Sequence, residues 1–162
     1  MTSQNPSSGA GATASIQVYD SEQETYIAVD LAQAYTVTNY VVHVPQPFTL
    51  KIGVHSPELG QLLKASGTIC AAFLTASNPY SEQLSQGENE NRNRSLADAL
   101  AERGHVTVQG LGVDPSGTWQ PEQSVLVLGL TKADAAALGR RFGQNAVVWC
   151  NDSATPELLL LR

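Results

Sequence analysis

The sequence predicts an α+β domain, a mixed and partly antiparallel sheet with helices packed on it. Three observations carry that expectation. Seven short runs have the apolar content or alternation of strands, four stretches combine helical spacing with capping residues, and the two kinds interleave along the chain. A length of 162 residues with 42% hydrophobic and 15% charged content suits one globular unit with a sizeable core.

The first fifteen residues, MTSQNPSSGAGATAS, hold no Lys or Arg and no apolar run, and read as a flexible tail rather than a leader. Residues 16–162 form the expected domain. Ser21 and Glu24 have capping-box spacing ahead of Ile27, Leu31, Ala34 and Tyr35, which predicts a helix over 22–35. YVVHV (40–44) and FTLKI (48–52) flank Pro45-Gln46-Pro47, two β-rich runs separated by residues that end a ladder, hence a hairpin. Ser56-Pro57 opens a short helix whose apolar face is Leu59, Leu62 and Leu63 and which Gly67 ends.

TICAAFLT (68–75) lacks polar alternation, as a strand covered on both faces does, and runs into the turn-forming stretch 76–81. Ser85 and Glu88 form a second capping box for a long helix reaching Arg103. HVTVQ (105–109) is a strand, residues 110–122 a loop rich in Gly and Pro, and SVLVLGL (124–130) another buried strand. Thr131 and Asp134 cap a helix that turns Leu138 and Phe142 inward and stops at Gly143, after which NAVVWC and ELLLL are the last strands.

Nine basic against fifteen acidic residues give a formal charge of -6, a field that repels phosphate backbones and anionic membranes, so general nucleic-acid binding is disfavoured. Arg92, Arg94, Arg103, Arg140 and Arg141 nevertheless gather in two predicted helices, which leaves a local anion site open. Cys70 and Cys150 sit in apolar runs and read as free buried thiols of a cytoplasmic protein. No run is long enough to cross a bilayer.

A 100° step along the long helix puts Asn89, Arg92, Leu96, Leu100 and Arg103 on one stripe, so polar groups share the core-facing side. Asn89 and Arg92 lie at the helix start, beside the turn at Asn78 that ends the preceding strand, and ligands of α/β sheets commonly bind beyond strand ends. Glu122 and Ser124 are two apart where the loop enters a buried strand and should share a face. Glu122 is then the natural counter-charge for Arg92, either as a structural ion pair or as a general acid or base. Gln144, after the last helix, either offers its amide to the same pocket or satisfies the helix's terminal carbonyls. Trp119 is either a lid over that pocket or a plug beneath its loop.

Other motifs give less. Gly110 and Gly112 lack the third glycine of a dinucleotide fingerprint and a strand follows them, so no cofactor is indicated. His43, His55 and His105 are scattered without metal-ligand spacing, and Ser81, Ser85 and Ser124 have no neighbouring histidine to suggest a triad.

FLTASNPYS (73–81), ENENR with its following leucine (88–96), GxWxPExS (117–124), LVLGL (126–130) and RRFGQNAVVW (140–149) together resemble the bacterial family called domain of unknown function 3293, over about Tyr35 to the C-terminus. Ser77 stands where that pattern has Trp, and Gln123 where Pro is common. With no known activity in the family, the resemblance implies a fold boundary and a choice of residues only.

The residues thus point to one polar pocket built from Asn78, Asn89, Arg92, Ser124 and Gln144 with Glu122 as its candidate catalytic group, and no metal. Arg92 and the amides suit a small anionic or nucleotide-like ligand. The alternatives are an enzyme using Glu122 as acid or base, and a non-catalytic module whose C-terminal LLLLR strand pairs with a partner or with a second copy as a homo-oligomer.

Overall fold

The computed structural model describes residues 15, 16 and 25–162. Residues 1–14 of the expected fifteen-residue tail and the Ser21/Glu24 capping box lie outside the described residues, and Ser15, the last residue of that tail, is extended. Two short strands, β1 (Ser15–Ile16) and β2 (Thr25–Tyr26), pair antiparallel. Helix α1 spans Val29–Val37 and begins seven residues later than the spacing predicts, because Thr25-Tyr26 is extended. β-branched and aromatic residues favour that backbone. The apolar spacing still reports burial: Ile27 and Ala32 pack on Leu160.

The remaining elements follow the expected order. Strands β3 (Asn39–Val42) and β4 (Phe48–Leu50) form the hairpin, with Tyr40 opposite Leu50. Helix α2 (Pro57–Ser66) is capped by Ser56 Oγ, which accepts from Leu59 N at 3.2 Å, and ends at Gly67 in the left-handed region. Strand β5 (Ala71–Leu74) is buried throughout and leads into a 3-10 turn at Pro79–Ser81. Helix α3 (Gln86–Glu102) starts at the Ser85/Glu88 capping box. Strands β6 (Val106–Val113) and β7 (Glu122–Leu128), helix α4 (Lys132–Arg141) capped by Thr131, and strands β8 (Ala146–Cys150) and β9 (Glu157–Leu160) complete the chain.

The architecture is α+β, with a seven-stranded sheet in the order β4-β3-β6-β7-β5-β8-β9. Every pairing is antiparallel, where the sequence predicts a mixed and only partly antiparallel sheet. The reason lies in two split crossovers. Helix α3 joins β5 to β6, which run the same way, but β7 returns from β6 into the slot between them. Helix α4 joins β7 to β8 in the same manner around β5. Each helix connection therefore skips a strand of opposite direction.

Alternation then sorts the core. Ala72, Leu74, Val125, Val127 and Val147 face α3 and α4, meeting Leu96, Leu100 and Leu138. Their neighbours Ala71, Phe73, Leu126, Val148 and Cys150 face the other way, toward Val42 and α2's Leu59 and Leu63. On that second face Gly53 N donates to Pro156 O at 2.8 Å, so the chain after β4 meets the chain before β9 and the sheet curls on itself. Both thiols are free and buried, and burial pushes Cys150 up to about 11.

The Gly and Pro content of residues 110–122 predicts a loop, yet β6 continues through Gly110 and Gly112 to Val113. A Cβ at Gly110 would lie 2.6 Å from Phe73 Cε2 and 2.8 Å from Val41 O, so this glycine lets the Phe73 ring lie across the strand. Gly in a β6 position marks close approach here, not a turn.

Candidate functional site

The strand register builds one end of the curled face. Tyr40 pairs with Gly112, and Gly112 with Glu122, so a phenol and a carboxylate stand on either side of a residue without a side chain. Ser124 is two residues along on the same face. Phe73, Val148 and Leu158 floor the space, Leu31 and Tyr35 of α1 cover it, and Trp119 stands at its rim, 47% exposed. The result is a cavity of about 130 Å³, room for several waters or one small ring. Trp119 thus lines the opening instead of plugging its own loop. Asp114 fixes that loop by accepting from the backbone N–H groups of Ser116, Thr118 and Trp119.

Of the six residues singled out in the sequence, Asn78, Glu122, Ser124 and Gln144 line the cavity, while Asn89 and Arg92 do not. Asn78 is the joint between the two groups. Its Oδ1 accepts from Leu84 N at 3.0 Å and from Asn89 Nδ2 at 2.9 Å, its own N–H donates to Asn89 Oδ1, and its Nδ2 donates to Glu122 Oε1 at 2.9 Å. Asn78 is thus tied to the segment that follows it. Asn89 therefore acts from behind, holding the residue that holds Glu122.

The expected Arg92–Glu122 ion pair does not form. Arg92 Nε donates to Ala76 O at 2.6 Å and its Nη2 to Phe142 O at 2.5 Å, and among the described residues the ion pair found is Lys132–Glu157. An inward guanidinium needs acceptors, not necessarily a carboxylate, and two carbonyls at chain turns supply them. Along the helix stripe Leu96 and Leu100 are buried and Asn89 and Arg92 half-buried, but Arg103 is exposed at the helix end. Gln144 does both things foreseen for it: it lines the cavity, and its Nε2 donates to Ser77 O and, at 3.4 Å, to Phe142 O after α4.

The turn after β5 is strained. Asn78, Tyr80 and Ser81 all have positive φ, at 47°, 53° and 62°. Asn tolerates this region, whereas Tyr and Ser do so at roughly 1–2 kcal/mol each. Tyr80 N donates to Gly143 O at 2.8 Å and the Arg162 guanidinium lies 4.6 Å from the Tyr80 ring centre, contacts that hold the strained residue in place. A Cβ on Gly143 would come within 2.9 Å of Pro79, so the glycine permits that docking. The strain turns Ser81 toward the cavity, where its Oγ receives Asn145 Nδ2 at 2.9 Å.

Sequence reasoning missed Tyr35, Tyr40, Asn93 and Asn145. Asn93, one residue past Arg92, accepts from Ala76 N and donates to Ser77 Oγ, both at 2.9 Å. Asn145 Nδ2 reaches Tyr35 OH at 3.3 Å, and Tyr40 OH donates to Tyr35 O. The polar run Gln144-Asn145 ahead of an apolar strand was the available signal for Asn145. The two tyrosines read simply as core.

Burial holds the Glu122 carboxyl above the usual carboxylate range, against the smaller opposing effect of the Asn78 N–H. Burial likewise raises Tyr40 well above an ordinary phenol. The folded protein therefore binds the Glu122 proton more tightly than the unfolded chain. This group's contribution to stability is present below the unfolded value and is lost as pH rises through the folded one. Glu122→Gln keeps an acceptor for Asn78 and carries no charge. The variant is expected to match the parent in urea denaturation near pH 4 and to become relatively more stable toward pH 8. A difference that shrinks with rising pH would contradict the assignment.

The family model described as "Protein of unknown function (DUF3293)" matches residues 74–147. Over those residues the chain is similar to that family. The match runs from the end of β5 through β7 and into β8, so it includes Asn78, Glu122 and Gln144 as well as the α3 residues behind them. No curated protein and no solved structure matches the chain. Among the described residues no helix is long and apolar enough to cross a membrane.

Proposed function

We propose that this domain binds a small polar molecule in the cavity bordered by Tyr40, Gly112 and Glu122. The observation that supports the reading best is a half-buried carboxylate set in a mostly apolar recess, with its position secured by Asn78 and, behind that, by Asn89. An anionic ligand was expected on the strength of Arg92, and that residue lies outside the recess with its donors engaged. A catalytic role for Glu122 is the second reading, favoured by the raised proton affinity that a general acid needs near neutral pH.

Gly112 supplies the test. A Cβ there would meet only Glu122 O and Ser124 Oγ at 3.9 Å, and its φ is ordinary, so a side chain at this position fills the cavity without disturbing the strand. A thermal-shift screen of nucleosides, nucleobases, phosphometabolites and small amidino and guanidino compounds should find compounds that stabilise the parent protein and leave Gly112→Leu unaffected. A ligand at about 100 times its dissociation constant adds roughly 2.7 kcal/mol. Stabilisation of neither protein, or of both equally, would overturn the reading.

A further inference from the structure

We infer that the cavity is built for a planar amidinium or guanidinium group, with the Glu122 carboxylate as its counter-ion. The inference rests on the binding reading above and narrows it to one ligand chemistry.

The first ground is charge. Glu122 is half-buried, and its one side-chain partner among the described residues is the neutral amide of Asn78 on Oε1. A carboxylate removed from water without a cation is unfavourable, and Arg92, the cation that the helix stripe turns inward, is engaged with the carbonyls of Ala76 and Phe142. No Lys, Arg or His is among the residues lining the cavity. The titratable groups that share it with Glu122 are Tyr35 from α1, Tyr40 from β3 and Asp114 after β6, none of which supplies positive charge. A cationic ligand completes a pair that the protein leaves half-made, and an anionic one meets Glu122 with nothing to offset it. The formal charge of -6 draws cations toward the opening.

The second ground is shape. Carboxylates recognise amidinium and guanidinium through two parallel N–H···O bonds, and each Glu122 oxygen offers two lone-pair sites, of which Asn78 uses one. The gap at Gly112 leaves a slot between the Tyr40 phenol and Glu122. Tyr35, Tyr40, Phe73 and Trp119 supply aromatic surface, which attracts a delocalised cation and accommodates a flat group. A tetrahedral ammonium would satisfy the charge but not the slot.

Three isosteric probes separate charge from shape: benzamidinium, neutral benzamide and benzoate, titrated calorimetrically into the full chain. Benzamidinium should bind at least tenfold more tightly than benzamide, and benzoate should bind least. The amidinium affinity should rise with pH as Glu122 loses its proton, with proton release visible as a buffer-dependent heat. Glu122→Gln should bring benzamidinium down to the level of benzamide, and Gly112→Leu should abolish binding of both. Benzamide or benzoate binding as tightly as benzamidinium, or an amidinium preference that survives in Glu122→Gln, would overturn the ligand class while leaving a binding cavity in place. Failure of all three probes to bind at millimolar concentration would overturn both this inference and the binding reading on which it rests.

Discussion

Arg92→Ala should lower stability by about 3 kcal/mol, measured by urea denaturation, since hydrogen bonds from a charged donor contribute roughly 1.5–3 kcal/mol each and this half-exposed side chain sits at the low end. The guanidinium joins two turns that are far apart in sequence, the one after β5 at Ala76 and the one after α4 at Phe142. Removing it leaves both carbonyls without their charged donor. Arg92→Lys should recover less than half of the loss, because one ammonium cannot reproduce the two-directional reach of Nε and Nη2. The decisive comparison is with Glu122. Were the two residues an ion pair, a double-mutant cycle of Arg92→Ala and Glu122→Gln would show a coupling of several kcal/mol. With separate partners it should stay below about 0.5 kcal/mol. A coupling above about 1 kcal/mol would restore the ion pair.

That cycle also marks the boundary of what the sequence made legible. The inward turn of Arg92 was readable, because a helix repeats every 3.6 residues and Leu96 and Leu100 fix which side is buried. Its partner was not, since backbone carbonyls are present at every residue and leave no trace in composition. Glu122 and Ser124 sharing a face followed from the two-residue period of a strand. That Tyr40 would stand across from Glu122 did not, because it depends on the register of β3 on β6 and of β6 on β7, three segments spread over more than half of the chain. Local chemistry behaved likewise. Ser56, Ser85 and Thr131 cap the helices they were expected to cap, since a cap needs only residues within one turn. Helix α1 begins later than the Ser21/Glu24 spacing predicts because the extended pair Thr25-Tyr26 intervenes.

The two glycines of β6 are expected to behave oppositely. Glycine in a strand interior ordinarily costs roughly 0.5–1 kcal/mol relative to alanine, so a change to alanine stabilises wherever the methyl group has room. Gly112 has that room, and Gly112→Ala should be neutral or slightly stabilising. Gly110 does not. Its added Cβ would lie 2.6 Å from Phe73 Cε2 and 2.8 Å from Val41 O, and the second contact is with the backbone of the adjacent strand, which cannot swing aside as a side chain can. Overpacking of a core typically costs 1–3 kcal/mol, and a backbone contact puts this site at the upper end, so Gly110→Ala should lose about 3 kcal/mol. Phe73 is buried, stacks edge-on against Tyr40 at 5.3 Å between ring centres and floors the cavity, so a displaced ring should also weaken any ligand binding. Adding Phe73→Leu to Gly110→Ala should make the penalty of the glycine substitution smaller than in the parent background, but not zero, because the Val41 carbonyl stays where it is. Equal stability of Gly110→Ala and Gly112→Ala in urea denaturation would mean that Phe73 does not lie across β6, and the floor of the cavity would have to be redrawn.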